Sequence, residues 1–381
     1  MKKILIFYGS YGGGHLSAAN SIKEHLNETK PEIEVKLIDC VQYVNKAVNK
    51  LSTKAYNEMA KKAPWAWGKI YSSSQKGALA HFTTNSNKLM ALKLKKLIKT
   101  EEPDLIISTH PFSTQMCAFL KKRNAIHVKL ATVLTDYAPH DQWLVFSNYC
   151  EYYFVAHDEM KTYLIKKGID SNKIFATGIP LSNRFLINYN KEEILNNLGL
   201  KPNKTTILFF GGGKFGLGKG NTDKILRALA ENFSDIQVIA ISGKNEKMKK
   251  EFNNIVLETD SQDNIKVLEY TNIVPQLMRI SDLVITKPGG LTVTESLASG
   301  LPIIIINPIP GQEEENAEYL EKAQVGIWLK KEDNLQEVLA QLIENKINLK
   351  NMKIRARLLA KKNSTKDICK ILLDNWLTFS I

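Results

Sequence analysis

Two glycine-rich turns carry residue types that could bind an anionic substrate. Gly12-Gly13-Gly14-His15 and Gly211-Gly212-Gly213-Lys214 each follow an apolar run, at residues 4–7 and 207–210, and each precedes a helical pattern. Glycine lets the backbone approach a ligand closely, and the first N–H groups of a helix bind anions. One such turn is common in α/β domains. Two of them, about 200 residues apart, predict two similar domains that face one cleft, as in a transferase with two substrates.

A third turn of this kind lies in the second half of the chain. Thr286-Lys287-Pro288-Gly289-Gly290-Leu291 leads into a helical pattern, with Glu295 about one turn further on. The glycines and first helical N–H groups could bind a diphosphate. Glu295 could accept hydrogen bonds from both hydroxyls of a ribose, or it could do no more than favour the helix dipole. Gln312, Glu313 and Asn316 offer amide and carboxylate groups suited to the hydroxyls of a sugar.

Strand and helix signals alternate along the whole chain. Apolar runs typical of strands occur at residues 4–7, 33–38, 105–108, 128–133, 152–155, 174–176, 207–210, 237–241, 265–268, 283–286, 303–306 and 326–329. Helical patterns lie between them, and this alternation predicts parallel strands joined by crossover helices. The fold class is therefore α/β, with two doubly wound, Rossmann-like domains. Ligands of such sheets bind at the carboxyl ends of the strands.

The domain boundaries follow from one polar stretch. Residues 188–204 are rich in Asn and Lys and contain Gly199 and Pro202, which is typical of a linker. We therefore predict an N-terminal domain over residues 1–187 and a C-terminal domain over residues 205–362. Residues 363–381 are predicted to form a last helix that returns to the N-terminal domain.

The composition is that of a soluble globular protein, with 44% hydrophobic and 24% charged residues. No apolar run approaches the ~20 residues that span a bilayer. The four cysteines are scattered without metal-like spacing, which indicates reduced thiols in a cytoplasmic protein. An Asp-x-Asp motif, one common means of holding a divalent cation on a sugar nucleotide, is absent from the sequence. We therefore expect no metal and no other cofactor.

The sequence resembles the family-28 glycosyltransferases, which have the GT-B fold. The resemblance rests on a donor-site signature, Lys287-Pro288-Gly289-Gly290-Leu291-Thr292 with Glu295, and Pro310-Gly311-Gln312-Glu313 with Asn316. Within that family the chain is similar to the branch of processive diacylglycerol β-glucosyltransferases and monogalactosyldiacylglycerol synthases. Supporting matches run in order from about residue 4 to residue 325: Gly12-Gly13-Gly14-His15, Ser108-Thr109-His110-Pro111, Thr135-Asp136-Tyr137, Thr177-Gly178-Ile179-Pro180 and Ser242-Gly243-Lys244-Asn245.

The resemblance implies a role for each residue of the site. Glu295 would bind the ribose of a UDP-sugar, and the hexose would be bound by Gln312, Glu313 and Asn316. Uracil would be held largely through backbone groups of Tyr270 and Thr271. The other substrate-binding residues implied are the glycines and lysines of the three turns: Gly13, Gly14, Gly211, Gly212, Gly213, Lys214, Lys287, Gly289 and Gly290. Such sites act by positioning and by stabilising the charge of the departing diphosphate, without a required metal.

Two residues compete for the role of general base. His15 matches the glycine-loop histidine that faces the reaction centre in this family, and an imidazole accepts a proton near neutral pH. It could instead be a helix-starting histidine that only contacts phosphate. Asp136, in the loop after the strand at 128–133, is the competing base. After Gly178-Ile179-Pro180-Leu181 the family usually has arginine, but here Ser182 stands there and Arg184 follows, so the role of Arg184 stays open.

A lysine-rich segment carries most of the net charge of +13. Residues 43–99 contain twelve lysines and one acidic residue, Glu58, which gives this segment a charge of +11. Because tryptophans favour the headgroup level of a bilayer and lysines favour anionic lipids, residues 46–71 predict membrane docking. The residues expected to contact an anionic membrane surface are Lys50, Lys54, Lys61, Lys62, Trp65, Trp67 and Lys69. Residues 88–99 are a second amphipathic segment that could bind a membrane. The favoured interpretation of this segment is an ordinary surface helix packed on the protein. Apart from these basic and aromatic residues, nothing resembles a nucleic-acid module.

These observations favour an inverting transferase that moves glucose or galactose from a UDP-sugar to a membrane lipid, most simply diacylglycerol. It would act at the inner face of the cell membrane, with its N-terminal domain bound to the lipid. Three alternatives stay open. The first is the related transfer of N-acetylglucosamine to the undecaprenyl-linked peptidoglycan precursor. The second is a UDP-sugar epimerase of similar architecture, and the third is a non-catalytic sensor of UDP-sugar.

Overall fold

The computed structural model describes residues 2–10, 13–44, 78–212, 221–233, 235–330, 332–344 and 346–377. Its twelve described strands form two six-stranded sheets in which every pair of neighbours is parallel. The predicted α/β class with two doubly wound sheets is therefore confirmed. Within the described residues, no helix is long and apolar enough to cross a membrane.

The first sheet has the strand order β2-β1-β3-β4-β5-β6. Its strands are β1 (Lys3–Tyr8), β2 (Glu34–Asp39), β3 (Leu105–Ser108), β4 (Lys129–Val133), β5 (Tyr152–Phe154) and β6 (Ile174–Phe175). The described helices of this half are α1 (Gly14–Thr29), α2 (Cys40–Val44), α3 (Ala78–Glu101), α4 (Pro111–Lys122) and α5 (Asp158–Lys166). Ile4, Leu5, Ile6 and Phe7 of β1 are all buried, as expected for a parallel strand that is covered on both faces.

The second sheet has the order β12-β11-β10-β7-β8-β9. Its strands are β7 (Thr205–Phe210), β8 (Ile236–Gly243), β9 (Ile265–Glu269), β10 (Leu283–Thr286), β11 (Ile303–Ile305) and β12 (Gly326–Trp328). Its helices are α7 (Asn221–Asn232), α8 (Glu246–Glu258), α9 (Val274–Ile280), α10 (Gly290–Ser299), α11 (Gln312–Lys322), α12 (Leu335–Glu344), α13 (Lys346–Leu359) and α14 (Ser364–Leu377).

The polar stretch between the sheets contains a short helix that was not predicted, α6 (Lys191–Asn197). Its start is capped by Asn190, whose side-chain oxygen accepts hydrogen bonds from the backbone N–H groups of Glu192 and Glu193. Leu195 is fully buried. One cap and one buried leucine thus suffice for two helical turns in a segment whose composition is typical of a linker.

Helix α3 resolves the two interpretations of residues 88–99. Ala91, Leu94 and Ile98 are buried in the core of the first domain, while Lys93, Lys96 and other residues of the opposite face are exposed. This is the arrangement of an amphipathic surface helix packed on its domain, here against α2 and α4.

The last helix, α14, packs on the first domain, although the second sheet precedes it in the chain. Ile368, Cys369, Leu372 and Leu373 share one buried cluster with residues of β1 and α1. At the start of the helix, the Thr365 hydroxyl donates to the Leu181 carbonyl at 2.8 Å and accepts from the Leu181 N–H at 2.8 Å. The chain therefore crosses between the domains twice.

We expect Leu372→Ala to lower the free energy of unfolding of the first domain by about 2–5 kcal/mol, because a buried leucine side chain would leave a cavity. Urea denaturation followed by tryptophan fluorescence measures this change. Lys370→Ala, on the exposed side of the same helix, is the control and should change stability by less than about 0.5 kcal/mol. Equal losses from both changes would contradict a specific contribution from the buried face of α14.

Candidate active site

The start of α1 in the first domain contacts the start of α10 in the second domain. Each helix begins at a glycine that follows the carboxyl end of an interior strand, Gly14 after β1 and Gly290 after β10. A Cβ atom built at Gly14 would lie 3.3 Å from Cδ2 of Leu291. The positive ends of both helix dipoles therefore converge at one place, which suits a diphosphate.

His15 is held in one orientation by groups at the carboxyl ends of β3 and β4. Its Nδ1 lies 2.6 Å from the Thr109 carbonyl oxygen and 3.0 Å from Oγ1 of Thr135. A carbonyl oxygen can only accept, so Nδ1 carries the proton, and Nε2 keeps the lone pair of the neutral ring. This tautomer leaves Nε2 able to take a proton from a hydroxyl group.

Burial lowers the pKa of His15 to about 4, so the ring is neutral at neutral pH. The hydrogen bond to Thr109 acts in the opposite direction and is the smaller effect. His110 packs edge-on against His15, with 4.6 Å between ring centroids. His110 itself caps α4, because its Nδ1 accepts from the Phe112 N–H at 3.2 Å.

Asp136 lies in the loop after β4 and is directed toward the second domain. Its Oδ1 accepts a hydrogen bond from Nδ2 of Asn316 at 3.4 Å, and Gln312 is a second hydrogen-bonding neighbour. Burial raises the pKa of the Asp136 carboxyl to about 6, which the two amides partly oppose. The structure thus brings Asp136 together with two of the residues implied for the hexose.

Both the oxygen and the nitrogen of the Asn316 side-chain amide form hydrogen bonds with protein groups. Its Oδ1 accepts from the Tyr137 N–H at 2.8 Å, and its Nδ2 donates to the Pro288 carbonyl at 2.9 Å as well as to Asp136. Asn316 is completely buried. Its described contacts therefore join the loop after β4 to the turn before α10.

Glu313 and Lys287 line the same region of the second domain. Oε2 of Glu313 accepts from the Ile309 N–H at 2.6 Å, which fixes the carboxylate. Burial raises the pKa of Glu313, which Lys287 partly opposes, and burial lowers the pKa of Lys287. The side chain of Glu313 also lies 3.9 Å from a Cβ position at Gly289, next to the start of α10.

Glu295 lies in the second turn of α10 and is partly buried. Among the described residues, no group forms a hydrogen bond or ion pair with its carboxylate, and burial raises its pKa to about 8. A partly buried carboxyl without a protein partner is available to ligand hydroxyl groups.

Tyr270 and Thr271 follow β9, at the carboxyl edge of the second sheet. Tyr270 is 61% exposed, and Nζ of Lys244 lies 4.6 Å from the centroid of its ring. The Arg184 guanidinium donates to the backbone carbonyl of Asn272, one residue further along. Arg184 is thus tied to the loop that the resemblance assigns to uracil.

The glycine turn after β7 is described only in part. Gly211 donates to the Ile241 carbonyl at 2.9 Å, and a Cβ atom there would lie 2.4 Å from Sδ of Met248. Gly212 has a φ of 90°, which favours glycine.

Several predicted residues lie outside the described residues: Gly213, Lys214 and all seven membrane-binding residues, Lys50, Lys54, Lys61, Lys62, Trp65, Trp67 and Lys69. Around a Cβ atom built at Gly13, the described residues beyond its own turn place no atom within 4 Å.

An aromatic contact that was not predicted also joins the two domains. The ring of His157, at the start of α5, stacks on Tyr319 of α11, with centroids 4.4 Å apart, and Tyr137 lies 5.0 Å from Tyr319. Nε2 of His157 lies 2.8 Å from the Tyr137 carbonyl oxygen. These residues are far apart in the sequence, so no local pattern marks them.

Within the described chain, no cluster of three or more His, Cys, Asp or Glu side chains could hold a metal ion.

Two family models match the two halves of the chain. Residues 15–181 match the family model of monogalactosyldiacylglycerol synthase, and residues 206–371 match that of the glycosyltransferase family 28 C-terminal domain. A processive diacylglycerol β-glucosyltransferase of Staphylococcus epidermidis is 34% identical over 380 residues, which covers 98% of this chain and 93% of the relative.

Solved structures share the fold at low sequence identity. MurG of Acinetobacter baumannii superposes with a TM-score of 0.65 at 14% identity and covers 98% of this chain and 100% of its own. A UDP-GlcNAc 2-epimerase of Neisseria meningitidis, bound to UDP-GlcNAc, has a TM-score of 0.63 at 17% identity with the same coverage. On the strength of the near-full-length relative and the two family models, this chain belongs to the family-28 glycosyltransferases, in the branch that contains the monogalactosyldiacylglycerol synthases and the processive diacylglycerol β-glucosyltransferases.

Proposed function

We propose that this protein transfers a hexose from a UDP-sugar to diacylglycerol, with inversion, and so makes a β-linked glycolipid. The observation that carries the proposal is His15, a neutral histidine with Nδ1 fixed and Nε2 unprotonated, at the meeting point of two helix starts. The near-full-length relative is named for this reaction, which supports diacylglycerol as the acceptor.

The donor would bind against the second domain. Glu295 would accept hydrogen bonds from both ribose hydroxyls, and the diphosphate would lie between the starts of α1 and α10. The hexose would then reach Gln312 and Glu313, whose carboxylate is already held by the Ile309 N–H. Uracil would lie against the backbone at Tyr270 and Thr271.

In the reaction, the acceptor hydroxyl oxygen attacks the anomeric carbon from the face opposite the diphosphate. The new C–O bond forms as the bond between this carbon and the β-phosphate oxygen breaks. The hydroxyl proton passes to Nε2 of His15, and the bonding electrons leave with UDP. The two helix starts stabilise the charge that develops on the diphosphate, so that no metal ion is needed.

The negative charge of the bound donor also supports His15 as a base. Burial alone keeps its pKa near 4, which makes it a weak base. A diphosphate beside the ring favours the protonated form and raises this pKa toward neutral pH. The base would thus be strongest when the donor is in place.

Glucose is the hexose that we favour, because the relative is named a glucosyltransferase. The choice between glucose and galactose depends on the 4-hydroxyl group, for which Gln312 and Glu313 are the candidate partners. The acceptor resides in a membrane, so we also propose that the enzyme binds the inner face of the cell membrane peripherally, through the lysine-rich segment of its first domain.

A labelled-donor assay tests the reaction. Purified protein is incubated with radiolabelled UDP-glucose, UDP-galactose or UDP-N-acetylglucosamine, each with vesicles that contain diacylglycerol, with vesicles that contain an undecaprenyl-linked precursor, and without acceptor. Extracted lipids are then resolved by chromatography. Labelled β-hexosyl-diacylglycerol from one of the two hexose donors is the expected result, and a series of slower spots would reveal repeated addition.

Other outcomes of this assay would contradict the proposal. Label on the undecaprenyl-linked precursor alone would assign the peptidoglycan reaction. Conversion of the UDP-sugar without any acceptor would assign an epimerase. No reaction from any donor, in protein that binds UDP, would favour a sensor.

Membrane binding has its own test. We expect Lys61→Gln with Lys62→Gln to weaken binding to vesicles rich in anionic lipid by about tenfold or more, because each lysine near such a surface contributes about 1 kcal/mol. Vesicle sedimentation at fixed ionic strength measures this. The matched control is Lys247→Gln with Lys250→Gln, two exposed lysines of α8 in the second domain. Equal effects from the two pairs would mean that overall charge, rather than the lysine-rich segment, binds the membrane.

A further inference from the structure

The segment Thr135-Asp136-Tyr137, called the 135–137 segment below, is buried between the two domains. It follows β4 of the first domain, yet each of its residues contacts the second. A Cβ atom built at Gly290 would lie 2.0 Å from the Thr135 carbonyl oxygen, so only glycine permits this approach. Asp136 accepts from Asn316, and the Tyr137 N–H donates to the same asparagine.

The hydroxyl of Tyr137 adds a fourth contact to the second domain. It lies 3.1 Å from Oγ1 of Thr294, on α10. Thr294 in turn donates to the Gly290 carbonyl at 2.8 Å, within the first turn of the helix. The start of α10 is therefore bound to the 135–137 segment both through its backbone and through a side chain.

The same segment contacts His15 of its own domain. Oγ1 of Thr135 lies 3.0 Å from Nδ1 of His15, beside the Thr109 carbonyl that fixes the tautomer. The Thr109 hydroxyl donates to the His15 carbonyl at 2.9 Å. Two threonines thus hold the residue, but only Thr135 also contacts the second domain directly.

We propose that Thr135 is a positioning residue which fixes His15 when the second domain closes on the 135–137 segment, with Asn316 and Gly290 as the closure contacts. This inference rests on the proposed function, in which His15 is the base. In an open state the segment loses its contacts with Gly290, Thr294 and Asn316, so its backbone and the Thr135 hydroxyl are no longer fixed in position. His15 then lacks one of its two Nδ1 partners.

This arrangement assigns Asn316 and Gly290 roles other than donor binding. Three hydrogen bonds of the Asn316 amide are already made to Tyr137, Asp136 and Pro288. Gly290 is required for the approach of Thr135, whereas the backbone N–H groups of α10 would be present with any residue. A base that is completed only on closure protects a bound donor from hydrolysis while the cleft is open to water.

A double-mutant cycle tests the link from Thr135 to His15. We expect Thr135→Val to lower kcat about tenfold or more, as for loss of a hydrogen bond in the site, with the KM for the UDP-sugar within about twofold of wild type. Thr135→Ser keeps the hydroxyl and should restore most of the rate. In a His15→Ala background, Thr135→Val should cause no further loss. An equal loss in that background would overturn the inference.

Hydrogen exchange tests closure without any activity measurement. With UDP bound, the amide of Tyr137 should be protected in wild type. Gly290→Ala and Asn316→Ala, each measured at a UDP concentration that saturates the variant, should speed its exchange about tenfold or more, because the first blocks the approach of the domains and the second removes the acceptor. Lys322→Ala is the control, since its ion pair with Glu159 also joins the domains but is exposed, and it should change the exchange rate less than twofold.

The two experiments separate the inference from the proposed function. If wild type makes no glycolipid from any acceptor, the proposed function fails, and the exchange result still decides whether the 135–137 segment is a closure contact. Fast exchange of the Tyr137 amide in UDP-bound wild type would overturn the inference. So would an exchange rate of the Tyr137 amide in UDP-saturated Gly290→Ala that equals the rate in wild type.

Discussion

His15→Ala is expected to lower kcat by about 10²–10⁴-fold, the range in which a positioned general base contributes. The structural reason is the fixed tautomer. Nδ1 is bound by the Thr109 carbonyl, so Nε2 is the ring atom that can take the acceptor proton. Alanine keeps the helix start and its N–H groups, so the affinity for UDP should change little. Initial rates with saturating donor and diacylglycerol vesicles, together with calorimetric UDP binding, measure both quantities.

Two control variants make this result specific. His25→Ala lies on the same helix, nearly three turns further on, and should retain wild-type kcat. Asp136→Asn keeps an oxygen that can accept from Asn316 but cannot act as a base, so it should lose much less rate than His15→Ala. A larger loss for Asp136→Asn than for His15→Ala would assign the base to Asp136. An unchanged rate for His15→Ala would mean that His15 only contacts phosphate.

The rate should also depend on pH in a definite direction. His15 must be neutral to accept a proton, so kcat falls as the pH drops below the pKa of His15 in the donor complex. That pKa lies above the value of about 4 of the ring without donor, because the diphosphate charge favours protonation. The acid limb of the kcat profile should disappear in His15→Ala if the residual rate is measurable.

The sheets could be predicted because buried parallel strands are continuous apolar runs. Residues 283–286 were predicted as a strand, and the structure has β10 at Leu283–Thr286, buried throughout. The glycine turns directly after β1 and β10 placed the site at the carboxyl ends of these strands. Helix α6 was not predicted, because Asn190 and Leu195 are too few to be recognised within a polar stretch.

The contacts between the domains could not be predicted from the sequence. The Thr135 carbonyl touches Gly290 and the Tyr137 N–H donates to Asn316, at sequence separations of more than 150 residues. A glycine in a strand-to-helix turn is explained by the turn itself. The sequence therefore gives no sign that the same glycine also allows another domain to approach closely. For the same reason, an asparagine in a sugar-binding signature gives no sign that its amide is engaged by the protein.

Glu295→Ala should raise the KM for the UDP-sugar by about 100-fold with a smaller change in kcat. The carboxylate would accept two ribose hydroxyls, and hydrogen bonds to a charged group contribute about 1.5–3 kcal/mol each. The ribose is remote from the bond that breaks, so these contacts act equally in the ground state and the transition state. Glu318→Ala, an exposed glutamate of α11, is the control and should leave KM unchanged. Equal KM values for Glu295→Ala and wild type would restrict Glu295 to a role in the helix dipole.

The pKa of Glu295 gives a second and independent sign of the same contact. Burial raises this pKa to about 8 in the free protein, so Glu295 carries a proton at pH 7. Two ribose hydroxyls that donate to the carboxylate favour its ionised form and lower its pKa in the complex. On UDP binding the Glu295 carboxyl should therefore release nearly one proton at pH 7, and its contribution to the affinity should rise with pH until about pH 8. Calorimetry in two buffers of different ionisation enthalpy measures this proton. Glu295→Gln should abolish its release, and an unchanged proton count in that variant would contradict the assignment of Glu295 to the ribose.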